Sequence, residues 1–556
     1  MAQARGFKEI SRVLSRIDGR GYGAYKELLD AYEAVDGVML RVSRVQSDPY
    51  APPSVVEARL AVDLRSRLPL DPVPVADLFH RALYGLLGRY GIDGAGEGGG
   101  GRLSLPKPSP IIVPRSAVEA RVRGSRVEFT VRVWAGLPSR RRRVLGSVCE
   151  ELLLERLPAA LREAAGRLGG DTLERHLRAW VEQEYIRGKL PSMGLAAFVG
   201  DGSVLPRRCG GCWEPLEDAV PFESPPSLRV EIELPTGRVV SGLGVRRGVT
   251  LIAGPAFHGK TTLAEAISHG VWNHVPGDGR ELVVTVHDAF YVESENGRWV
   301  SCVDVSSLVT SLPSGDTQCF TTSDASGATS LAASIQEAVE AGSRVIIVDE
   351  DQAASNMIYR DYWAEKVTGK RTLNPLSEVA ASMRDAGLSV VVVASGAIRL
   401  VAEADEIVVM DEYRARDATG FRAEARSVIQ RISADPPPKY RMPRPRVIAR
   451  PVSLVKPKVR GRMLEARNLR DRVDLRPLRQ LPEDHQVETA VRAALRIASR
   501  KGAVIAREAE RISRMLWRWD YSEIAGRPGP DIVYVRPQDI AFVVNRLPGL
   551  QTIQKA

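Results

Sequence analysis

Apolar and polar positions along the chain follow three kinds of pattern. Between 201 and 435 they form short apolar runs of strand length, at 249–253, 282–286, 344–348, 389–394 and 406–410. Helical spacing separates several of them. Runs that are apolar on both faces and alternate with helices predict a parallel sheet with crossover helices. Residues 1–200 are mixed. Positions 127–134 alternate as a half-buried strand does, and a helical pattern runs from Val144 to about Leu190. The run from Gly94 to Gly101 is low in complexity and reads as a flexible loop. Asp435-Pro-Pro-Pro438 then marks a boundary that neither helix nor sheet can continue. Beyond it, one helical stretch spans Glu488 to about Arg518, with Trp517 and Trp519 read as core anchors rather than base-stacking platforms. The expected domains are 1–200 (α+β), 201–435 (α/β) and 436–556, a basic linker followed by a small, mainly helical domain.

Composition adds little to this except in the charge. At 556 residues the chain exceeds one compact core. No apolar run reaches the length of a membrane span, and Met1-Ala-Gln-Ala-Arg5 has no apolar leader core. These features predict a cytoplasmic protein with no membrane partner. Five cysteines suit a reducing compartment, with Cys209 and Cys212 as two thiols in a glycine-rich loop and Cys149, Cys302 and Cys319 scattered. The net charge is +10, and residues 439–472 hold twelve Lys or Arg against Glu465 and Asp471, so this one segment accounts for the whole excess. Arg444, Arg446, Lys456, Lys458, Arg460 and Arg462 are its candidate contacts to a polyanion such as nucleic acid. A solvated basic connector is the other reading. Arg140, Arg141, Arg142 and Arg143 follow a strand and can form an exposed hairpin tip. Such a tip would touch phosphates without reading sequence, or simply be solvated.

The densest chemistry lies in Gly254-Pro-Ala-Phe-His258-Gly259-Lys260-Thr261, which fits G-x-x-x-x-G-K-[ST] between a strand and a helix start. In that context backbone N–H groups converge on phosphate oxygens. Gly254, His258, Gly259, Lys260, Thr261 and Thr262 are the candidate nucleotide contacts. Lys260 would neutralise the β- and γ-phosphates of ATP, and the Thr261 hydroxyl would hold Mg²⁺. A second apolar strand ends in Asp349-Glu350. Asp349 would hold Mg²⁺ through water, and Glu350 would polarise the attacking water. Upstream of that strand, Ser326-Gly327 opens a helix. This pair either caps the helix or donates to a γ-phosphate. Following the phosphate loop and preceding the acid strand, it resembles the signature segment of ABC-class ATPases. Asp349 to Asn356 likewise looks like the segment that follows in that class, with Asn356 where an Asp is usual.

The chain as a whole resembles one family, the ABC-class ATPases of bacteria and archaea, which is similar to a mitochondrial RNA-binding ATPase associated with RNA editing. The resemblance is carried by Ile17-Asp-Gly-Arg-Gly-Tyr-Gly-Ala-Tyr-Lys26, Val45-Gln-Ser-Asp-Pro-Tyr-Ala-Pro-Pro-Ser54, the stretch from Phe198 to Arg208, the stretch from His274 to Glu281, Met410-Asp-Glu-Tyr413, Asp484-His-Gln486 and Asn545-Arg546. It implies an ABC-type phosphate-loop ATPase core between the two flanking domains, a homodimer, and contact with nucleic acid, RNA in preference to DNA. Two departures stand out. Ser395 falls where the class has a switch histidine, which argues for slow hydrolysis. Gln318 is the one Gln between the loop and Ser326, in a poor place to contact Mg²⁺. The expected function is a homodimeric ATPase whose nucleotide cycle gates nucleic-acid binding. The alternatives are an RNA clamp that binds ATP with negligible turnover, and a regulatory ATPase acting on a protein partner.

Overall fold

The structure, a computed structural model, describes residues 8–210, 212–360, 367, 369–432 and 437–555. Part of the proline boundary at 435–438 therefore lies outside the described residues, as does Gly211 between Cys209 and Cys212. The chain divides into two compact units. The first joins residues up to Trp180 with Met515–Tyr534, and the second joins Val181–Arg514 with residues from Val535 onward. Both units cut across the three zones read from the pattern.

The first unit is built on an antiparallel sheet. The strand Arg126–Ala135 alternates between buried and partly exposed positions over most of its length and pairs from end to end with the equally long Ser54–Asp63. Val118–Arg123 pairs with the same strand, and the helix Pro72–Tyr90 packs against it. Asp71 starts that helix by accepting from the Val73 N–H at 2.9 Å, with proline at the first helical position. The returning segment closes the unit. Trp517 stacks on Trp180 at 6.4 Å between ring centroids and meets Tyr534 edge-on at 4.8 Å. Trp517 is thus a core anchor, as its pattern predicts. The glycine run is not a loose loop. Gly96 has φ +122°, and a Cβ there would fall 1.9 Å from the Ser139 carbonyl oxygen. Gly96, Gly98 and Gly101 are needed for close backbone packing, which a composition argument cannot see.

The second unit carries the parallel sheet. Its strands are β1 Val249–Ala253, β2 Ala289–Val292, β3 Val345–Asp349, β4 Ser389–Val393, β5 Glu406–Asp411 and β6 Arg414–Asp417, in the order β2-β3-β4-β1-β5-β6. The first five are parallel, and β6 turns back antiparallel on β5. Every residue of β1, β3 and β4 is buried, as an apolar run covered on both faces must be. Helices α1 Lys260–His269, α2 Gly327–Glu340, α3 Leu376–Asp385 and α4 Ile398–Glu403 belong to this unit. The order leaves β1 between β4 and β5, with the acid-bearing β3 beyond β4.

Three expectations are corrected. The run at 282–286 forms Val283–Thr285 and joins a separate antiparallel sheet with Leu195–Gly200, and β2 occupies the place expected for it. A run buried on both faces carries no mark of which sheet it joins. The helical stretch from Glu488 breaks into Asp484–Ala498 and Ile505–Trp517, because Gly502 turns at φ +81° and its N–H donates to the Ile448 carbonyl at 2.8 Å. The cysteines are not all free thiols. Cys209 pairs with Cys212, and Cys302 with Cys319 across the hairpin of Val300–Val303 and Phe320–Thr322, leaving Cys149 buried and unpaired.

Candidate nucleotide-binding site

The site forms where β1 ends. Gly254 has φ +133°, and a Cβ there would lie 2.1 Å from the Met410 carbonyl oxygen of β5, so the loop leaves the sheet in a path open only to glycine. Gly259, at φ +95°, caps α1 without any side-chain cap. The first-turn N–H groups of Lys260, Thr261 and Thr262 therefore face outward from a helix N-terminus, an arrangement that attracts anions. Lys260 Nζ donates to the Pro255 carbonyl at 2.8 Å, so the loop's cation is held over its own backbone.

Strand β3 delivers the acids. Thr261 Oγ1 donates to Asp349 Oδ2 at 2.8 Å, and Asp349 Oδ1 accepts from the Asp351 N–H at 3.1 Å. Burial pushes the Asp349 carboxyl above the usual carboxylate range, against the Thr261 and Asp351 hydrogen bonds that oppose the shift. Glu350, one residue beyond the strand, is fixed from the end of β4. Its Oε2 accepts from both the N–H and the hydroxyl of Ser395, each at 2.9 Å. The Tyr359 hydroxyl also bonds Glu350, which pushes that phenol upward. On the other flank of the loop, the Glu412 N–H donates to His258 Nδ1 at 2.8 Å, and Asp411 Oδ1 stands 3.1 Å from the same nitrogen. The ring ties the loop to the β5–β6 turn.

These elements enclose a cavity of about 990 Å³. Gly254, Gly259, Lys260, Thr261, Thr262, Asp349 and Glu350 all line it, with His258 braced just behind. Ser395 lines it as well. Ser326, Gly327, Asn356 and Gln318 do not. Ser326 is the exposed N-cap of α2, its Oγ accepting from the Thr329 N–H at 3.3 Å, and Asn356 is exposed on the short helix Ser355–Ile358. Two features of the site go beyond what the sequence pattern announces. The hold of Ser395 on Glu350 has no signal in the pattern. Tyr413 is visible in Met410-Asp-Glu-Tyr413, but only the fold brings that string to the phosphate loop.

The candidate polyanion contacts separate into different surroundings. In the first unit Arg140 to Arg143 are all exposed on a tight hairpin, with Arg141 and Arg142 both at positive φ, 49° and 56°. The hairpin-tip expectation is met. In the second unit Arg444, Lys456, Lys458 and Arg460 are exposed. Arg446 is a correction. It is 2% exposed, bonded to Glu340 at 2.7 Å, to Asn545 Oδ1 at 2.8 Å and to the Ser301 carbonyl at 3.0 Å. A guanidinium saturated by partners inside the unit has nothing left for a phosphate. Arg462 is half-buried and committed to the carbonyls of Leu478 and Leu481 and to Asp484.

Two family models agree with this geometry. Residues 169–443 match the family model described as a P-loop domain of ABC ATPases, and residues 7–167 match the one described as the N-terminal part of ATPases of the ABC class. An uncharacterized protein of Methanocaldococcus jannaschii is 31% identical over 261 residues, 44% of this chain and 57% of the relative, so the match spans little more than half of that protein. The solved structure of cbiO1 from Clostridium perfringens, part of an ABC transporter complex, aligns with 43% of this chain and 94% of its own at 14% identity and a TM-score of 0.25. Among the described residues no helix is long and apolar enough to cross a membrane. With its phosphate loop, its acid strand and its N-terminal segment each matched, the chain belongs to the ATPases of the ABC class.

Proposed function

We propose that this chain binds ATP with Mg²⁺ in the cavity and hydrolyses it slowly, as a homodimer whose nucleotide state sets its grip on RNA. The observation that carries the reading is the hydrogen bond of Thr261 to Asp349, which joins the phosphate loop to the acid strand across 88 residues of chain. Lys260 and the first-turn N–H groups of α1 take the β- and γ-phosphates, with Gly254, His258 and Gly259 shaping the loop. The Thr261 hydroxyl and the Asp349 carboxylate are hard oxygen donors of the kind that suits Mg²⁺, which when bound would neutralise charge on the phosphates. Glu350 takes a proton from the attacking water, with its carboxylate oriented by Ser395. Ser395 carries no charge to offer a γ-phosphate, which supports slow turnover.

Ser326, Gly327 and Asn356 stand outside the cavity of their own chain. In this reading a second copy brings them to the open side of the site, giving a two-fold dimer with two equivalent sites. The exposed arginines and lysines of both units supply phosphate contacts for RNA. We place the protein in the cytoplasm, where its two disulfides would have to persist against a reducing thiol pool.

The test is Glu350→Gln, which keeps size and hydrogen bonding and removes the charge. With ATP and Mg²⁺ it should trap a dimer by light scattering and hydrolyse no ATP. A variant that stays monomeric with ATP bound counts against the dimer, and one that turns over at the wild-type rate counts against Glu350. Equal RNA affinity with ATP, with ADP and with neither counts against gating. A nucleotide-gated clamp with negligible turnover is the second reading, favoured by the uncharged serine at position 395 beside Glu350; steady-state hydrolysis with and without RNA separates the two.

A further inference from the structure

The string Met410-Asp-Glu-Tyr413 has no part in the phosphate chemistry, yet it sits against the phosphate loop. The sheet order explains what it faces. Strands β3 and β4 lie on one side of β1 and lead into Asp349, Glu350 and Ser395; β5 and its turn lie on the other side. A triphosphate with its terminal phosphate toward the acids must run its nucleoside end toward the β5–β6 turn. There the turn presents an aromatic ring. Tyr413 is 56% exposed, lines the cavity, and would touch a Cβ on Gly259 at 3.4 Å through its Cδ1. Phe257, in the loop itself, lines the same cavity and is 93% exposed.

The backbone, and not burial, sets where both rings emerge. Glu412 and Tyr413 have φ of 46° and 66°, and Phe257 has φ of 67°, a region that non-glycine residues seldom occupy. The Glu412 N–H donates to His258 Nδ1, so the residue after Phe257 fastens the residue before Tyr413. Two exposed rings thus emerge from a tied backbone into the cavity. Large exposed aromatic faces that line a cavity suit a flat, apolar, π-faced ligand.

We infer that Tyr413, with Phe257, forms the platform on which the nucleobase stacks. The inference rests on the nucleotide reading of the cavity, and its test separates the two. Binding of ATP and of inorganic tripolyphosphate, each with Mg²⁺, is measured by calorimetry on the full chain. Wild type binds both, and Lys260→Ala weakens both. Tyr413→Ala weakens ATP by roughly tenfold, the scale of one base–aromatic stack, and leaves tripolyphosphate within about twofold, which also certifies the fold of the variant. Tyr413→Phe restores ATP affinity, because the ring and not the hydroxyl does the stacking. A Tyr413→Ala protein with full ATP affinity, or one in which both probes weaken equally, overturns the platform and leaves the phosphate site standing. A wild-type protein that binds neither probe overturns the phosphate reading and the platform with it.

Discussion

The phosphate loop and the basic segment 439–472 are equally conspicuous in the sequence, and the structure treats them differently. The loop residues keep one environment. Gly254, Gly259, Lys260, Thr261 and Thr262 meet Asp349 and Glu350 in a single cavity. The basic residues divide. Arg446 is sealed inside a network with Glu340, Asn545 and the Ser301 carbonyl, whereas Lys458 and Arg460, twelve and fourteen positions on, are exposed on a hairpin. The loop is specified by backbone: two positive-φ glycines and a helix start, all within eight residues. The fate of an arginine is specified by partners far along the chain, more than a hundred residues away for Glu340 and Ser301. Local chemistry can be read from a string; burial of a charge cannot.

That contrast can be tested in order of expected effect. Arg446→Ala strands Glu340 and the Asn545 amide in a buried site and should cost about 3–5 kcal/mol of unfolding free energy, read by urea denaturation. A change near zero would put Arg446 back among the surface cations. Lys260→Ala should cost about 3 kcal/mol or more of ATP binding, since it removes the charge facing the phosphates, while leaving the urea midpoint nearly unchanged. Should the midpoint fall instead, Lys260 would be structural like Arg446. Ser395→Ala should lower kcat by about tenfold with KM little changed, because of the two hydrogen bonds that Ser395 gives Glu350 only the one from the backbone N–H survives. In the Glu350→Gln background the same change should add little, and Ser395→Thr should recover most of the rate. The smallest stability effect belongs to Arg460→Ala, within about 0.5 kcal/mol of wild type. Removing Arg444, Lys456, Lys458 and Arg460 together should flatten the salt dependence of RNA binding by about 0.7 in log–log slope for each phosphate no longer neutralised. An unchanged slope would mean that this exposed group is solvated and the nucleic-acid surface lies elsewhere.

Much of the fold is legible where apolar runs are long enough to be buried on both faces. Strand β1 matches the run at 249–253, and β3, β4 and β5 fall within a residue of theirs. Strand β2 escapes the pattern because Ala289–Val292 is short and follows His287-Asp288, which dilute its apolar signal. The residues of the candidate site are legible as a set, but their geometry is not. In the sequence Ser395 is an absent histidine, and only the fold turns it into a double donor to Glu350. Tyr413 is two residues past its strand, in a turn whose positive φ values no apolar pattern announces. Both belong to contacts between strands distant in sequence, where spacing rules stop.

The discontinuous first unit sets an order of events during synthesis. Its buried Ser116 bonds through its N–H to the Ile532 carbonyl and through its hydroxyl to the Gly529 carbonyl, at 2.8 and 2.7 Å, and Arg527 reaches Asp30 at 2.9 Å. Trp180 waits in the same way for Trp517. Folding normally follows the ribosome, with the first domain to emerge settling first. Here the first unit to emerge is among the last to be finished. Its Ser116 donor and Trp180 face lack their partners until more than three hundred further residues have been made. A nascent chain halted anywhere before residue 515 would therefore expose a first unit whose core is unfinished.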